Sequence, residues 1–400
     1  MRYYTSSFNI DRPTTALFQP ALIRRQPSIV EIGDPWGRYG SGIGLGSMAA
    51  FSGMGEFYER RHFFTEVPSH RLGLLQETLS KKECSTFLKA FEQTLTPSVD
   101  SDSLNTHLFR KTRVKRLKDF SECEIPTVCL SISPAGLHMD NYIFPVRDTC
   151  GCSFHWNLEK AIFGALRESI ERQFLLRYWL TGISTKKLDI SEYSAHLNHS
   201  NSSSLLHALK SEGELTALDI TDSRFPGRCV IVVYGKNDVL SSVQYCTGMA
   251  YSHTTESALE KAVYELWQTF RYIRNFCFSD AIPKDIKDPY LRHFLSCNSY
   301  STYLEMTNST SSSLENSAPS TTPLTLTTLK AAISDTNIDG YLYITPTKIS
   351  KNPHFFCKYI SPHSFMHMNN SANLNLKNSY SQSFLHMIIK SHLSTMVPFP

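Results

Sequence analysis

Three long segments of the chain carry apolar residues at the spacing of an amphipathic helix. They span residues 46–64, 158–179 and 257–274, and apolar positions that recur every three or four residues are typical of a helix with one buried face. Shorter segments rich in β-branched and aromatic residues, bounded by turn formers, predict strands at 125–132, 228–234 and 338–344. The mixture indicates an α+β or α/β protein and leaves the topology open.

An internal repeat appears inside the predicted helices. Residues 49–60 (AAFSGMGEFYER) and 161–172 (AIFGALRESIER) share their apolar spacing and end in Glu-x-x-Glu-Arg, at a constant offset of 112 positions. The third helix carries a weaker copy with a glutamine in place of the second glutamate. Repeated apolar spacing implies that the three helices pack in similar ways. The polar residues of the three copies are Glu56, Glu59 and Arg60, then Glu168, Glu171 and Arg172, then Glu265, Gln268 and Arg271.

The repeated carboxylates suggest a cation site. Residues three apart share one face of a helix, so Glu168 and Glu171 fall together beside the apolar stripe, and Glu56 and Glu59 repeat the arrangement. Such carboxylates remain charged without a large free-energy cost only where cations or solvent surround them. Four of them together would suit Mg²⁺, which carboxylates usually share with substrate phosphates, and the arginines would suit phosphate oxygens. The alternative is a solvated helix face with surface ion pairs, and the sequence does not show that the helices converge.

Composition and charge narrow the class of protein. The chain has 400 residues, 41% of them hydrophobic and 19% charged, with a formal net charge of +4. This length and composition fit one large globular domain or two to three small ones and exclude general disorder. The charge is too weak and too dispersed to indicate nucleic acid as the main partner. The Gly-rich run at residues 40–46 breaks the dinucleotide-binding pattern, and no Walker loop occurs.

Cysteine usage and the lack of an apolar leader indicate the cytoplasm. The ten cysteines are scattered without a Cys-x-x-Cys pair, as in a reduced intracellular protein. The N-terminus lacks the apolar stretch of a secretory signal, and no stretch approaches the length of a membrane helix. We therefore expect a cytoplasmic protein without a membrane partner.

The expected organisation has three parts. Residues 1–45, punctuated by proline and glycine, are expected to form an irregular N-terminal segment. Residues 46–393 are expected to form the main domain, with a mobile Ser/Thr-rich surface insert at 301–328 that offers little to bury. Residues 394–400 form a proline-containing tail, in which Pro398 and Pro400 favour an extended backbone.

Three smaller signals compete with the repeat. Cys150, Cys152 and His155 could ligate zinc, but no second pair lies at zinc-finger spacing, so buried free thiols are favoured. His363 and His367 lack the glutamate of a zinc-protease motif and are expected to be core or surface residues. The basic run at 110–118 could attract an acidic peptide or nucleic acid, but its partial alternation favours a strand with a solvated basic face.

The three repeated helices resemble the signature of the YcaO superfamily. That signature consists of three acidic motifs, SxxxExxER, ALxExxER and ExxQxxR, and all three occur here in the family's order. Four further segments resemble the cyclodehydratase subunits of microcin-type synthetases, and the similarity extends nearly end to end. These segments are residues 55–64, 148–155, 367–371 and 396–400. The resemblance implies an α+β, YcaO-type fold with repeated acidic helices packed on β-sheets.

The resemblance also implies a reaction. It is the ATP-dependent cyclodehydration of a ribosomally made precursor peptide, in which a Cys thiol or Ser or Thr hydroxyl attacks the preceding backbone carbonyl. ATP phosphorylates the resulting oxygen, which leaves as phosphate and gives a thiazoline or oxazoline. The alternatives are thioamide or amidine formation by the same helices, or a scaffold subunit without activity. Full retention of the motif charges disfavours a scaffold.

The family pattern assigns roles to individual residues. Metal binding falls to Glu56, Glu59, Glu168 and Glu171, and nucleotide binding to the same four residues with Arg172, Glu265, Gln268 and Arg271. The residues expected to take part directly in catalysis are Glu56, Glu168, Arg271 and the terminal Pro400, whose carboxylate could polarise an attacking group. The implied partners are the precursor peptide, a leader-peptide-binding subunit and an FMN-dependent azoline dehydrogenase.

Overall fold

A computed structural model describes residues 15–19, 26–34, 38–199, 202–279, 281–308, 310–311, 322–349 and 352–400. Ten α-helices lie within these ranges. Three of them, α1, α4 and α7, correspond to the predicted helices; α1 begins two residues later than predicted and ends one residue later, and α4 and α7 extend their predictions by two to five residues. In chain order the ten are α1 (Met48–Thr65), α2 (Lys81–Thr94), α3 (Asp140–Ile143), α4 (Leu158–Thr181), α5 (Ser194–His199), α6 (Ser203–Glu212), α7 (Thr255–Cys277), α8 (Pro289–Ser296), α9 (Tyr300–Thr307) and α10 (Leu326–Asp335).

Fifteen strands in the described ranges form four sheets, almost entirely by antiparallel pairing. A three-stranded sheet contains β1 (Thr15–Gln19), β2 (Ser28–Gly33) and β3 (Tyr39–Gly44) in that order. A four-stranded sheet has the order β12 (Tyr245–Ser252), β11 (Arg228–Gly235), β10 (Glu214–Asp219) and β9 (Lys186–Leu188). A six-stranded sheet has the path β4 (Arg71–Gly73), β5 (Phe109–Arg116), β14 (Tyr341–Ile349), β15 (Asn352–Ile360) and β7 (Cys152–His155), with β6 (Glu122–Pro126) paired to β5. The short strands β13 (Thr310–Ser311) and β8 (Ile183–Ser184) pair in parallel.

Capping residues define where the two longest helices begin and where α4 ends. The Asn157 side chain accepts a hydrogen bond from the Lys160 N–H and begins α4, which ends where Gly182 adopts a left-handed conformation (φ +68°). Thr254 begins α7 in the same manner by accepting from the Ser257 N–H. Asparagine and threonine satisfy otherwise unpaired N–H groups at a helix start, and glycine tolerates positive φ at the end.

The six-stranded sheet separates two hydrophobic cores. Alternate residues of β14 point to opposite faces, so Tyr341 and Tyr343 join the core that contains Phe57 of α1, whereas Leu342 joins the core that contains Leu166 of α4. The helices α1 and α4 therefore pack on opposite faces of one sheet and both contact its edge strand β7. This packing places the first two copies of the acidic motif on either side of a sheet edge.

The sequence suggested an irregular N-terminal segment, but residues 28–44 contain the strands β2 and β3. Gly40 and Gly42 alternate along β3, and a Cβ on either would lie 2.2 Å from backbone atoms of α1. The glycines are therefore required for close packing of a strand on a helix rather than for a loop. The remainder of the expected segment lies partly outside the described residues.

Other boundaries also differ from the expectations. The strand predicted at 125–132 ends at Pro126, and the one predicted at 338–344 begins only at Tyr341, after Gly340. The segment expected to be a mobile insert begins with α9, whose Tyr303 and Met306 are buried; residues 312–321 lie outside the described ranges. The predicted strand at 110–118 exists as β5, but Lys111 is buried and donates to the Leu74 carbonyl, so its basic face is not fully solvated. The described helices include none with an apolar stretch long enough to cross a membrane.

Candidate active site

Glu59 of α1 and Glu168 of α4 lie close enough for the charge of one carboxylate to act on the other. Desolvation by the surrounding protein, followed by the charge of Glu56, raises the pKa of Glu59 to about 8. Desolvation and then the charge of Glu59 raise the pKa of Glu168 well above its usual range. Within the described part of the chain neither carboxylate accepts a hydrogen bond. We call Glu59 and Glu168 the inner pair.

Three further carboxylates accept hydrogen bonds from strand edges. The Ser41 N–H of β3 donates to Glu56 (2.9 Å), the Tyr251 N–H of β12 donates to Glu171 (2.6 Å), and the Met249 N–H donates to Glu265 (3.3 Å). Since β3 and β12 are edge strands, these glutamates satisfy backbone groups that would otherwise be unpaired. We call Glu56, Glu171 and Glu265 the outer carboxylates.

The outer carboxylates of the second and third motifs lie next to each other. The Glu265 side chain contacts solvent, yet desolvation by the protein around it and the charge of Glu171 together raise its pKa to about 8. Burial raises the pKa of Glu171 as well. Like charges held this close favour a bound cation, because a cation removes their mutual repulsion.

A hydrogen bond joins the third motif to the first and closes the arrangement. Gln268 of α7 donates from its side-chain amide to the Ser41 hydroxyl (2.6 Å), and Ser41 in turn donates its N–H to Glu56. The motif residues therefore form a closed sequence of neighbours running through α1, α4 and α7. The convergence that the sequence left open is thus present in the structure.

The arginines of the first two motifs differ in their contacts. Arg60 forms a close ion pair with Glu56 of its own helix (2.7 Å) and lies over the Tyr39 ring. Arg172 is 3.9 Å from Glu168, and its guanidinium lies over the Phe399 ring. Arg60 therefore braces its own helix, whereas Arg172 stands between the carboxylates and the C-terminus.

Arg271 of the third motif lies at the periphery of the group. It follows Gln268 by one helical turn, and its guanidinium lies over the Trp267 ring of the same helix. Desolvation and the charge of Arg274 lower its pKa. The structure thus brings the carboxylates and Gln268 together more closely than it brings Arg271 to them.

The C-terminal tail is anchored beside Arg172. The Tyr245 hydroxyl donates to the Pro398 carbonyl (2.6 Å), and the Val397 N–H donates to the Asn370 side chain (3.1 Å). Met396 through Phe399 are buried, and the terminal Pro400 is exposed. Phe399 packs on Arg172, and Pro400 is the next residue in the chain. The terminal residue therefore directly follows a residue that contacts the site.

Three residues near the carboxylates were not singled out from the sequence. Ser41 links two motifs, but it lies in the glycine-alternating segment that the sequence suggested was irregular. The charge of Lys358 on β15 acts on Glu59, and the charge of Arg167, one residue before Glu168, acts on Glu171. The Arg167 Nε is buried without a hydrogen-bond partner among the described residues. Of the three, only Arg167 could have been found from the sequence, because it lies inside the second motif.

The arrangement fits a cation that is shared with a phosphate ligand. The described residues hold no group of three or more His, Cys, Asp or Glu side chains that could hold a metal ion, and this finding includes Cys150, Cys152 and His155. Mg²⁺ commonly takes only one or two carboxylates and completes its ligands with phosphates and water. The inner pair offers two such carboxylates, and Arg172 and Arg167 offer guanidinium donors for phosphate oxygens.

Comparison with known proteins agrees with the motifs. The Microcin B17-processing protein McbD of Escherichia coli is 34% identical over 399 residues, covering 97% of each chain. The E. coli microcin synthetase McbBCD complex contains a chain that matches with a TM-score of 0.88 and 33% identity, covering 100% of this chain and 99% of that one. A YcaO protein from Methanopyrus kandleri, solved with AMPPCP and Mg²⁺, shares the fold at 13% identity (TM-score 0.57, covering 88% of this chain and 86% of that one).

The family assignment rests on a longer match than the three motifs alone. A family model described as YcaO cyclodehydratase, ATP- and Mg²⁺-binding, matches residues 42–348, which include every motif glutamate and Gln268. The matched range begins within β3, next to Ser41, and ends within β14. The chain belongs to the YcaO cyclodehydratase family, whose members bind ATP and Mg²⁺.

Proposed function

We propose that this chain is the ATP-dependent cyclodehydratase subunit of a microcin-type synthetase. Its substrate is a ribosomal precursor peptide, whose Cys and Ser or Thr residues become thiazolines and oxazolines. Similarity over nearly the whole chain to a microcin B17-processing protein, and to a synthetase complex also solved with pro-MccB17 bound, supports this function. The observation that carries it is the inner pair, Glu59 and Glu168, left without hydrogen-bond donors inside a group of capped carboxylates.

The proposed chemistry explains why a phosphate-binding acidic site is needed. A thiol or hydroxyl of the peptide adds to the preceding amide carbon, and the former carbonyl oxygen takes the terminal phosphoryl group of ATP. Loss of phosphate and a proton then gives the C=N bond of the ring, with ADP as the other product. An amide oxygen is a poor leaving group, and phosphorylation makes it a good one. The protein contributes positioning and charge stabilisation, as in other phosphoryl transfers.

Residue roles follow from the contacts in the site. Glu59 and Glu168 would hold Mg²⁺, which neutralises charge on the transferred phosphoryl group. Glu56 and Glu171, which the sequence also assigned to the metal, are held by strand N–H groups and would complete the metal surroundings from outside. Arg172 would contact phosphate oxygens. The nucleotide site would also include Glu265, Gln268 and Arg271, as the family motifs imply.

The tail and the partners belong to the same proposal. Pro400 would present its terminal carboxylate to the reacting peptide, and the anchoring of residues 396–399 next to Arg172 supports this role. A leader-peptide-binding subunit and an FMN-dependent azoline dehydrogenase would complete the synthetase. The cytoplasm is the proposed compartment, in keeping with all ten cysteines being free thiols.

The function is tested by reconstitution. The chain, assembled with its partner subunits, is incubated with Mg²⁺, ATP and the ring-free form of pro-MccB17 as the probe peptide, and the products are analysed by mass spectrometry. We expect loss of one water per ring, dependent on both ATP and Mg²⁺, with ADP and phosphate released. An intact peptide in the presence of a well-folded, fully assembled complex would contradict the proposal.

A further inference from the structure

Three sheet edges meet the acidic helices, and two of them are capped. The edge strands β3 and β12 each give N–H groups to the outer carboxylates, through Ser41 on β3 and through Tyr251 and Met249 on β12. The third edge strand is β7, at the end of the six-stranded sheet. The described residues place no carboxylate on its outward N–H groups.

The pairing of β7 shows which backbone groups face outward. The Gly151 carbonyl accepts from the Tyr359 N–H (2.9 Å), so in this antiparallel register residues 153 and 155 also exchange hydrogen bonds with β15. Cys152 and Phe154 therefore direct their N–H and C=O groups away from β15. The Cys152 N–H already donates to the Thr149 carbonyl, which leaves both main-chain groups of Phe154 facing outward. No further strand lies on that side of β7 in the described part of the chain.

This open edge lies at the inner pair. The charges of Glu59 and Glu168 both act on the Cys152 thiol, whose pKa burial raises well above its usual range. The helices on the two sides also contact β7 directly; on the side of α4, a Cβ added to Gly164 would lie 2.4 Å from the Ser153 hydroxyl. A ligand on the outer edge of β7 would therefore lie between the two uncapped carboxylates.

Gly55 leaves space along the same edge. It lies one helical turn before Glu59, and among the described residues a Cβ added there would approach only the Phe154 ring, at 3.9 Å. Glycine inside a helix is destabilising relative to alanine. Packing within the part of the chain that the structure describes explains Gly164, but it does not explain Gly55. Space kept open at such a position is consistent with the close approach of another main chain.

We infer that the outer edge of β7 is the docking strand for the segment of the precursor peptide that is cyclised. The peptide adds to β7 as an extended strand, bonded to the N–H and C=O of Phe154, and passes Gly55 so that its amide carbonyl reaches the space between Glu59 and Glu168. Strand addition reads the peptide mainly through its backbone. It therefore suits a substrate in which several residues in different sequence contexts are converted. This inference rests on the proposed function and names the substrate contact of that same site.

The first test removes one outward donor. Proline at an edge position loses only an N–H that the sheet does not use, so Phe154→Pro is compared with Phe154→Ala, which loses the ring but keeps the N–H. In the assembled complex with pro-MccB17, we expect the proline variant to raise the peptide KM at least about fivefold over the alanine variant, the effect of one net hydrogen bond. The affinity for Mg-ATP, measured by calorimetry, should be equal in the two variants.

The second test fills the space at Gly55. Gly55→Leu should raise the peptide KM about tenfold or more, whereas Gly55→Ala, with a side chain that reaches only the Phe154 ring, should stay within about twofold of wild type. Equal peptide KM values in Gly55→Leu and wild type, together with equal values in the two Phe154 variants, would overturn the inference while leaving the proposed function intact. A loss of Mg-ATP binding in these variants would also overturn it, because the effect would then lie on the nucleotide.

A crosslinking measurement separates the inference from turnover. Trp156 directly follows β7 and is 61% exposed, so a benzoylphenylalanine placed there should crosslink to the part of pro-MccB17 that carries the ring-forming residues. The same probe at Leu240, in the turn between β11 and β12, is the matched exposed control. Crosslinking at Trp156 supports the docking strand even if the complex forms no rings, an outcome that would count against the proposed function alone. Equal crosslinking at the two positions would count against the docking strand.

Discussion

The first two acidic motifs have the same residues at the same spacing but are used in opposite order. In α1 the first glutamate, Glu56, accepts a strand N–H and the second, Glu59, accepts none; in α4 the first, Glu168, accepts none and the second, Glu171, is capped. The inversion arises because the two helices pack on opposite faces of the six-stranded sheet and meet its edge from two sides. One repeated pattern thus produces one facing pair and two supporting carboxylates.

Position around the sheet edge, rather than position in the motif, decides what a glutamate does. A capped carboxylate accepts a backbone N–H, which offsets part of the desolvation that still raises the pKa of Glu171 and Glu265, and it helps hold a strand in place. An uncapped carboxylate with a raised pKa has no such donor, so a bound cation would stabilise its charged form. We therefore expect substitutions of the inner pair to affect chemistry and substitutions of the outer carboxylates to affect structure as well.

The largest expected effect comes from Glu168→Gln. It removes one charge of the inner pair and keeps the size of the side chain, so ring formation should fall by about 100-fold or more, while folding and subunit association remain. Mass spectrometry of the peptide and calorimetry with Mg-ATP measure the two consequences. Glu159→Gln, at an exposed position in the first turn of the same helix, is the matched control and should behave as wild type. Full ring formation by Glu168→Gln would remove the inner pair from the mechanism.

The second prediction uses the difference between the two motif arginines. Arg172→Met should raise the KM for ATP by about 10- to 100-fold, the effect of losing charge-assisted hydrogen bonds to phosphate, with little change in thermal stability. Arg60→Met should instead lower stability by about 0.5–1 kcal/mol through loss of the ion pair with Glu56, and should change the KM for ATP less. Steady-state kinetics and thermal unfolding of both variants give the comparison. The reverse pattern would show that Arg60 is the phosphate ligand.

The helices of the site were predictable from the sequence, but its geometry was not. Apolar periodicity and the repeated glutamates indicated α1, α4 and α7 because both signals are local. The capping of Glu56 by Ser41 depends on a glycine-rich strand whose close contact with α1 is not visible in a linear pattern. The contact of Arg172 with Phe399 joins residues that are far apart in sequence. Pairings across sheet edges are set by tertiary packing, so which glutamate is capped could be learned only from the structure.

The third prediction concerns pH. Glu59 and Glu265, each with a pKa near 8 in the folded chain, keep their protons to a higher pH than they do in the unfolded chain, where the carboxyl pKa is about 4.3. Between these values the unfolded state binds fewer protons, so stability without Mg²⁺ should fall as pH rises from about 5 to 8. Thermal unfolding across this range measures the slope, and Glu59→Gln should flatten it. Mg-ATP should stabilise the protein more at pH 8 than at pH 6, because a bound cation removes the repulsion. A slope of opposite sign would contradict the raised pKa values of these two glutamates.

The smallest expected effect tests the link between the tail and the second motif. The Phe399 ring under the Arg172 guanidinium contributes a cation–π contact worth about 0.5–1 kcal/mol when partly exposed, so Phe399→Leu should raise the KM for ATP about two- to fivefold. Phe399→Tyr keeps an aromatic face and should restore the wild-type KM, whereas a merely structural role of the ring would be met by leucine too.

Because the first motif has no tail residue at Arg60, Arg60→Met combined with Phe399→Leu should show additive effects on the KM for ATP. Arg172→Met combined with Phe399→Leu should not, since both changes remove the same contact. Additivity in both pairs would mean that the tail acts on the site by a route other than Arg172.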